Sequence, residues 1–180
     1  MKIAISVEEL TRLVLAMPHV ADVAVYDGSN LEVPDEIGKD ITPLLIGDEL
    51  SAAALSARKR ALITKVDNAA ETERLKYITP GEGQAMTYQQ KVDEARAFKS
   101  AIDPQPADYP VLFSEVGITA PTLSEVADIV LAAFAQWQKI GASIESIRLG
   151  AKRDINAAED ETTACSIFDA IMWPSAQVQA

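Results

Sequence analysis

Residues 77–95 read YITPGEGQAMTYQQKVDEA, and this stretch decides the fold because it breaks one helical run and starts another. Upstream, Leu50 to Lys76 contains neither Gly nor Pro and is rich in Ala, Leu, Lys, Arg and Glu, the residues that lose least on entering a helix. Thr79-Pro80-Gly81 stops that run, since Pro80 lacks an N–H and drives Thr79 out of the α region. Gly81 and Gly83 admit positive φ, so the chain can reverse within a few residues. The helical pattern resumes at Met86, with Thr87 as a cap. Thr79, Pro80, Gly81 and Gly83 are therefore read as a helix-joint turn.

Beyond the joint, Tyr88, Val92, Ala95, Phe98 and Ile102 follow three-to-four spacing, and Asp103-Pro104-Gln105-Pro106 closes the helix. Tyr109 to Val116 is a compact apolar segment that predicts a helical turn with Pro110 at its first position. Gly117 to Pro121 breaks the chain again. Thr122 followed by Glu125 is a capping-box signature, and it opens the strongest periodic signal in the sequence. Leu123, Val126, Val130, Ala133, Trp137, Ile140, Ile144, Ile147 and Ala151 recur every three or four residues. A helix over 122–158 would be roughly 55 Å long, and its heptad-like stripe calls for a partner helix from this chain or from another copy. Gly141 within it predicts a close helix crossing or a bend. Glu159-Asp160-Glu161 interrupts the pattern. Thr163 to Trp173 resumes it, Pro174 ends it, and 174–180 is expected to fray. Leu123, Val126, Val130, Trp137, Ile140, Ile144 and Ile147 are the candidate packing or oligomerisation stripe; Phe168, Ile171, Met172 and Trp173 are the candidate contact with a partner protein, with packing on this chain's own helices as the equal alternative.

Before the joint, the helix is expected to turn Leu55, Leu62, Val66, Ala69 and Leu75 to one side. Arg58, Lys59, Arg60, Lys65, Glu71 and Glu73 would form its wet faces, with Asp48 or Ser51 as its cap. Residues 34–47, with two Pro and two Gly, read as a linker whose Ile41, Leu44, Leu45 and Ile46 can pack on a neighbour. Residues 1–33 form a small mixed α/β unit: a short strand over 2–5, a helix capped by the box Ser6–Glu9 and ended by Pro18, and a hairpin of 20–26 with 31–33 about Asp27-Gly28. The expected fold is mainly α, with this unit followed by a helical bundle or hairpin assembly over 48–173.

A net charge of −11 with 48% hydrophobic residues describes a globular chain, and it argues against nucleic acid, whose phosphates need a basic face. The single cysteine, Cys165, cannot form an internal disulfide. No apolar run reaches the roughly 20 residues of a membrane span, and the first residues lack a signal-peptide core, so an unprocessed protein made in the cytoplasm is expected.

No residue constellation sets up a reaction. Gly81-Glu82-Gly83 is flanked by helices and carries a carboxylate where a phosphate loop needs a lysine, so it reads as a turn. His19, the only histidine, has no second His or nearby Cys for zinc and reads as a helix-terminus or surface residue. Cys165 would need His19 and an orienting acid to act as a nucleophile; its spacing makes it a small buried hydrophobe instead. Glu159-Asp160-Glu161 lacks the alternation and glycine of a calcium loop and reads as a solvated turn. Trp137 lies on the stripe and reads as core. No catalytic residue, cofactor or metal is expected.

Three pieces carry a resemblance: KRALITKVDNAAETERLKYITPGEGQAMTYQQKVDEARAF, then YPVLFSEVGITAPTLSEVADIVL, then WQKIGASIESIRLGAKRDI. Together, over about Arg58 to Ala158, they resemble a helical domain of bacteriophage and prophage proteins, found in tail-fibre and tail-fibre-assembly proteins and in small virion-cluster proteins. ITPGEGQAMTYQQK is the most distinctive piece. The resemblance implies a mainly helical domain and a structural component of a tailed phage particle, tail- or fibre-associated and located in the virion. Its partners would be other virion proteins (fibre or baseplate proteins, or further copies of itself), with residues 1–47 as the docking part. A soluble tail-fibre assembly chaperone is the alternative, and an enzyme acting on the host envelope or a small regulatory molecule a remote one.

Overall fold

The computed structural model describes residues 1–45 and 49–177. The fold is mainly α, with a small three-stranded antiparallel sheet at the N-terminus and one helix of 35 residues, Leu123–Ala157. The chain forms two compact units. Unit 1 comprises Met1–Asp67 and Gly150–Ile171; unit 2 comprises Asn68–Leu149 and the chain from Met172 on.

Unit 1 starts with strand β1 (Lys2–Ala4) and helix α1 (Val7–Ala16). The capping box forms as the sequence predicts: Glu9 N–H donates to Ser6 Oγ at 3.2 Å, and Ser6 N–H donates to Glu9 Oε2 at 2.8 Å. Val20–Val23 is a helical turn, α2, and not the first half of a strand. Its apolar residues Val20, Val23 and Ala24 have three-to-four spacing, which outweighs the loose alternation that suggested a strand. The hairpin keeps only β2 (Val25–Tyr26) and β3 (Asn30–Glu32), joined through Asp27, whose carboxylate accepts from the N–H groups of Ser29 and Asn30. β3 lies between β1 and β2, with Ile3 opposite Leu31.

The segment read as a linker carries a helix, α3 (Asp35–Leu44). Ile37, Ile41 and Leu44 are spaced by four and three, and Pro34 stands just before the first turn, where a missing N–H costs nothing. Pro43 falls in the last turn, and the helix ends one residue later. Leu13, Val20, Leu31 and Ile41 close a core with Ile3, Ile5, Val33 and Leu50. The expected roles of Ile46, Gly47 and Asp48 lie outside the described residues.

Helix α4 runs Glu49–Arg74. Ser51 lies inside it and accepts from Arg12 rather than capping it. The second core of unit 1 joins Leu62 and Val66 of α4 to Ala151, Ile155 and Ala158 of the long helix, α7 (Leu123–Ala157), and to Ala164 of α8 (Glu161–Asp169). Lys152 Nζ reaches both carboxylate oxygens of Asp67, at 2.8 and 2.9 Å. Glu159-Asp160-Glu161 forms the turn into α8: Asp160 caps it by accepting from Thr163 N–H, and Glu161 pairs with Arg58.

In unit 2, α5 runs Glu82–Ser100 and begins four residues before the sequence suggested, at N-cap Gly81 with φ +126°. Gly81 alone supplies the left-handed conformation in this joint. Gly83 lies in the first turn of the helix, and Thr87 is interior, bonding back to the Gly83 carbonyl. The acidic Glu82 suits a helix start, which favours resumption there. A short helix, α6 (Pro110–Phe113), starts with proline at its first position, as read. Its Leu112 N–H donates to Glu94 Oε2 at 2.8 Å. Ala95, Tyr109, Leu112, Val126 and Ala127 form the core of this unit, with Phe98 edge-on to Tyr109 at 5.4 Å. Thr122 and Glu125 form the capping box at the start of α7. Ile102, expected on the buried side of α5, is fully exposed beyond its end.

Candidate binding cleft

The apolar stripe of α7 has two different surroundings within unit 2. Val126 and Ile144 are fully buried, whereas Leu123, Val130, Trp137, Ile140 and Ile147 are half-buried and Ala133 is exposed. Ile129, beside the stripe, is 47% exposed. Between Val126 and Ile144 the helix therefore lacks full cover, and there it forms one wall of a cleft of about 530 Å³.

On the α7 side the lining is Ile129, Val130, Ala133, Phe134 and Trp137. On the α5 side it is Ala85, Tyr88, Gln89 and Val92, and the joint adds Tyr77, Ile78 and Thr79. Each helix presents these residues at one-turn intervals, so each offers one face to the cleft. Tyr88 stands at the rim, 41% exposed, with its hydroxyl 3.2 Å from Thr79 Oγ1. The bond to Thr79 holds that phenol below its ordinary pKa.

The charged lining is one ion pair, Lys91 with Glu115, each 18% exposed. Burial pushes the Glu115 carboxyl up, but Lys91 and the Thr119 hydroxyl at 2.8 Å outweigh it and keep it below the usual carboxylate range. The Lys91 ammonium also lies 5.3 Å from the Tyr88 ring centre, and the Arg96 guanidinium 5.1 Å from that of Phe134. At Gly141 the three nearest atoms to an added Cβ belong to the indole of Trp137, one turn earlier, at 3.4–3.7 Å.

A second polar centre of unit 2 escaped the sequence reading. Glu73, placed on a wet face, is 1% exposed. It accepts from Lys76 Nζ, Tyr77 Oη, Ser175 N–H and Ser175 Oγ at 2.7, 3.2, 2.7 and 2.8 Å. Burial raises its pKa, and the Lys76 and Ser175 bonds more than reverse this, leaving it lowered. Helical spacing carries the explanation: Leu62, Val66, Ala70 and Glu73 fall on one stripe, which leaves Leu75, expected inside, 43% exposed. Ser175 belongs to a short helical turn, α9 (Pro174–Gln177), so this part of the expected frayed tail is tied down; 178–180 lie outside the described residues.

The other singled-out residues are dispersed. Phe168 and Ile171 pack against the second core of unit 1, with Lys65 Nζ 6.0 Å from the Phe168 ring centre. Met172 is exposed and Trp173 half-buried. Cys165 is half-buried beside Arg58 Nη2 at 3.3 Å. Arg58 Nε lies 3.2 Å from Glu161 but makes no hydrogen bond. His19 is exposed at the start of α2. Among the described residues no group of three His, Cys, Asp or Glu could hold a metal, and no helix is long and apolar enough to cross a membrane. The cleft offers apolar contact, with the Tyr88 and Thr79 hydroxyls among its lining.

No protein-family model, curated protein or solved structure matches the chain.

Proposed function

We propose that this protein is a structural component of a tailed bacteriophage particle, tail- or fibre-associated, and that it acts by binding other virion proteins rather than by catalysis. The single observation that carries the binding role is the cleft between α5 and α7, where aromatic and aliphatic side chains stand partly uncovered around one internally paired charge. Aromatic-rich concave surfaces of this kind are where protein contacts concentrate their energy. The phage assignment is supported by the resemblance of the three segments between Arg58 and Ala158.

Quantitative mass spectrometry of gradient-purified particles tests the reading. A fixed ratio of this chain to the tail-tube or capsid subunit is the expected result. Abundance in the lysate with absence from particles overturns a structural role and favours the assembly chaperone, whose apolar cleft would also stand open in the free protein. In that case co-expression with the fibre protein should raise the yield of trimerised fibre.

A further inference from the structure

We propose that the cleft seats an amphipathic α-helix of another protein, with three apolar anchors facing inward and a basic outer face. The inference rests on the reading of this chain as a binding protein and names the kind of segment bound. Both walls are helices: Tyr88 and Val92 on α5, and Val130, Phe134 and Trp137 on α7, stand one turn apart. Side chains so spaced form ridges into which those of a third helix interlock. An extended peptide would instead use a free strand edge, and no wall of this cleft is a strand.

Size and charge narrow the occupant. The α7 wall, Ile129 to Trp137, spans about 12 Å at the helical rise, a little over two turns. That length matches three anchors at i, i+3 or i+4, and i+7. Ala85 on one wall and Ala133 on the other leave the room that the anchors would fill. Lys91 and Glu115, both in the lining, satisfy each other, so the cleft asks for uncharged side chains. The chain as a whole carries −11, which attracts a basic segment and repels a second copy of itself.

The test uses the full chain and fluorescein-labelled helical 16-residue peptides, read by fluorescence anisotropy. One carries Leu and Phe at i, i+4 and i+7 with Lys and Arg elsewhere; a second replaces the bases by Asp and Glu; a third scrambles the first. Saturable binding of the first is expected, at least about tenfold tighter than of the second at low salt, with none of the third. Ala133→Arg, and separately Ala85→Arg on the facing wall, should abolish binding without moving the urea midpoint, since both sites are exposed. Equal binding of the scrambled peptide, or binding that survives both substitutions, overturns the cleft as the site. Equal binding of the acidic peptide overturns the basic partner. Self-association in sedimentation that Ala133→Arg removes would put a second copy there and overturn the proposal. The two readings fail separately: peptide binding by a chain absent from particles sinks the virion role, and a particle-bound chain that ignores the peptides sinks this one.

Discussion

The core around β3 and the cleft on α7 are built from the same kinds of side chain with opposite outcomes. Leu13, Val20, Leu31 and Ile41 are sealed by a three-stranded sheet and short helices. Ile129, Val130 and Phe134 lie on a longer and more regular helix, yet remain partly open. Regular periodicity therefore states which face of a helix is apolar and leaves open whether this chain covers it. Short elements close well because each brings two or three anchors to one point. A long helix presents more apolar length than its own neighbours reach.

The largest difference between the two regions is expected on truncating one side chain in each. Leu31→Ala should cost about 2–5 kcal/mol, the range for a sealed core leucine, whereas Ile129→Ala should cost about 1 kcal/mol or less, because half its surface is already wet. Urea denaturation of the two variants decides it, and equal losses would mean that the cleft is packed as tightly as the core.

A smaller effect is expected at Glu73, which is sealed like a core residue yet adjoins the cleft through Tyr77. Glu73→Gln should cost about 1–3 kcal/mol by leaving Ser175 or Lys76 poorly matched. The sign of its pH dependence follows from the lowered pKa. The contribution is complete above the ordinary carboxylate pKa and disappears as pH falls through the lower folded value. Glu9, Asp27, Glu115 and Asp160 are also lowered, so the wild type loses stability there through several groups. The difference between wild type and variant isolates Glu73 and should shrink in acid; a constant difference would show that its charge is not what matters.

The smallest effect is expected on the cleft side, at Gly141. Gly141→Ala should stabilise α7 by about 0.5–1 kcal/mol, since the new methyl would meet Trp137 at 3.4 Å, an ordinary contact. A raised thermal midpoint with peptide binding unchanged is expected; a fall would show that Trp137 needs the space.

Much of this architecture was legible in the sequence, and the misses share a cause. Both capping boxes, the hairpin turn, the Pro80-Gly81 break and the long helix follow from local chemistry acting over three or four residues. The helix over Asp35–Leu44 was hidden by Pro34 and Pro43, which sit at its two ends and mimic linker composition. The spacing of Tyr88 and Val130 shows a helical face, but its exposure depends on what packs opposite; Ile129, beside the stripe, carries no such signal. Glu73 could not be found locally, because Ser175 lies 102 positions away. Phe168 and Ile171, open in the sequence between a partner contact and the chain's own packing, pack on a core that includes Leu62 and Val66, about a hundred residues upstream.

The discontinuity of unit 1 bears on how the protein is made. Its two parts, ending at Asp67 and resuming at Gly150, are separated by roughly 80 residues, or about 4–16 s of synthesis at 5–20 residues per second. During that interval Leu62 and Val66 emerge from the ribosome without Ile155, Ala158 and Ala164 to cover them. A nascent chain stalled in that window would present a sticky helix, so expression at lower temperature or with a holdase should raise the soluble fraction.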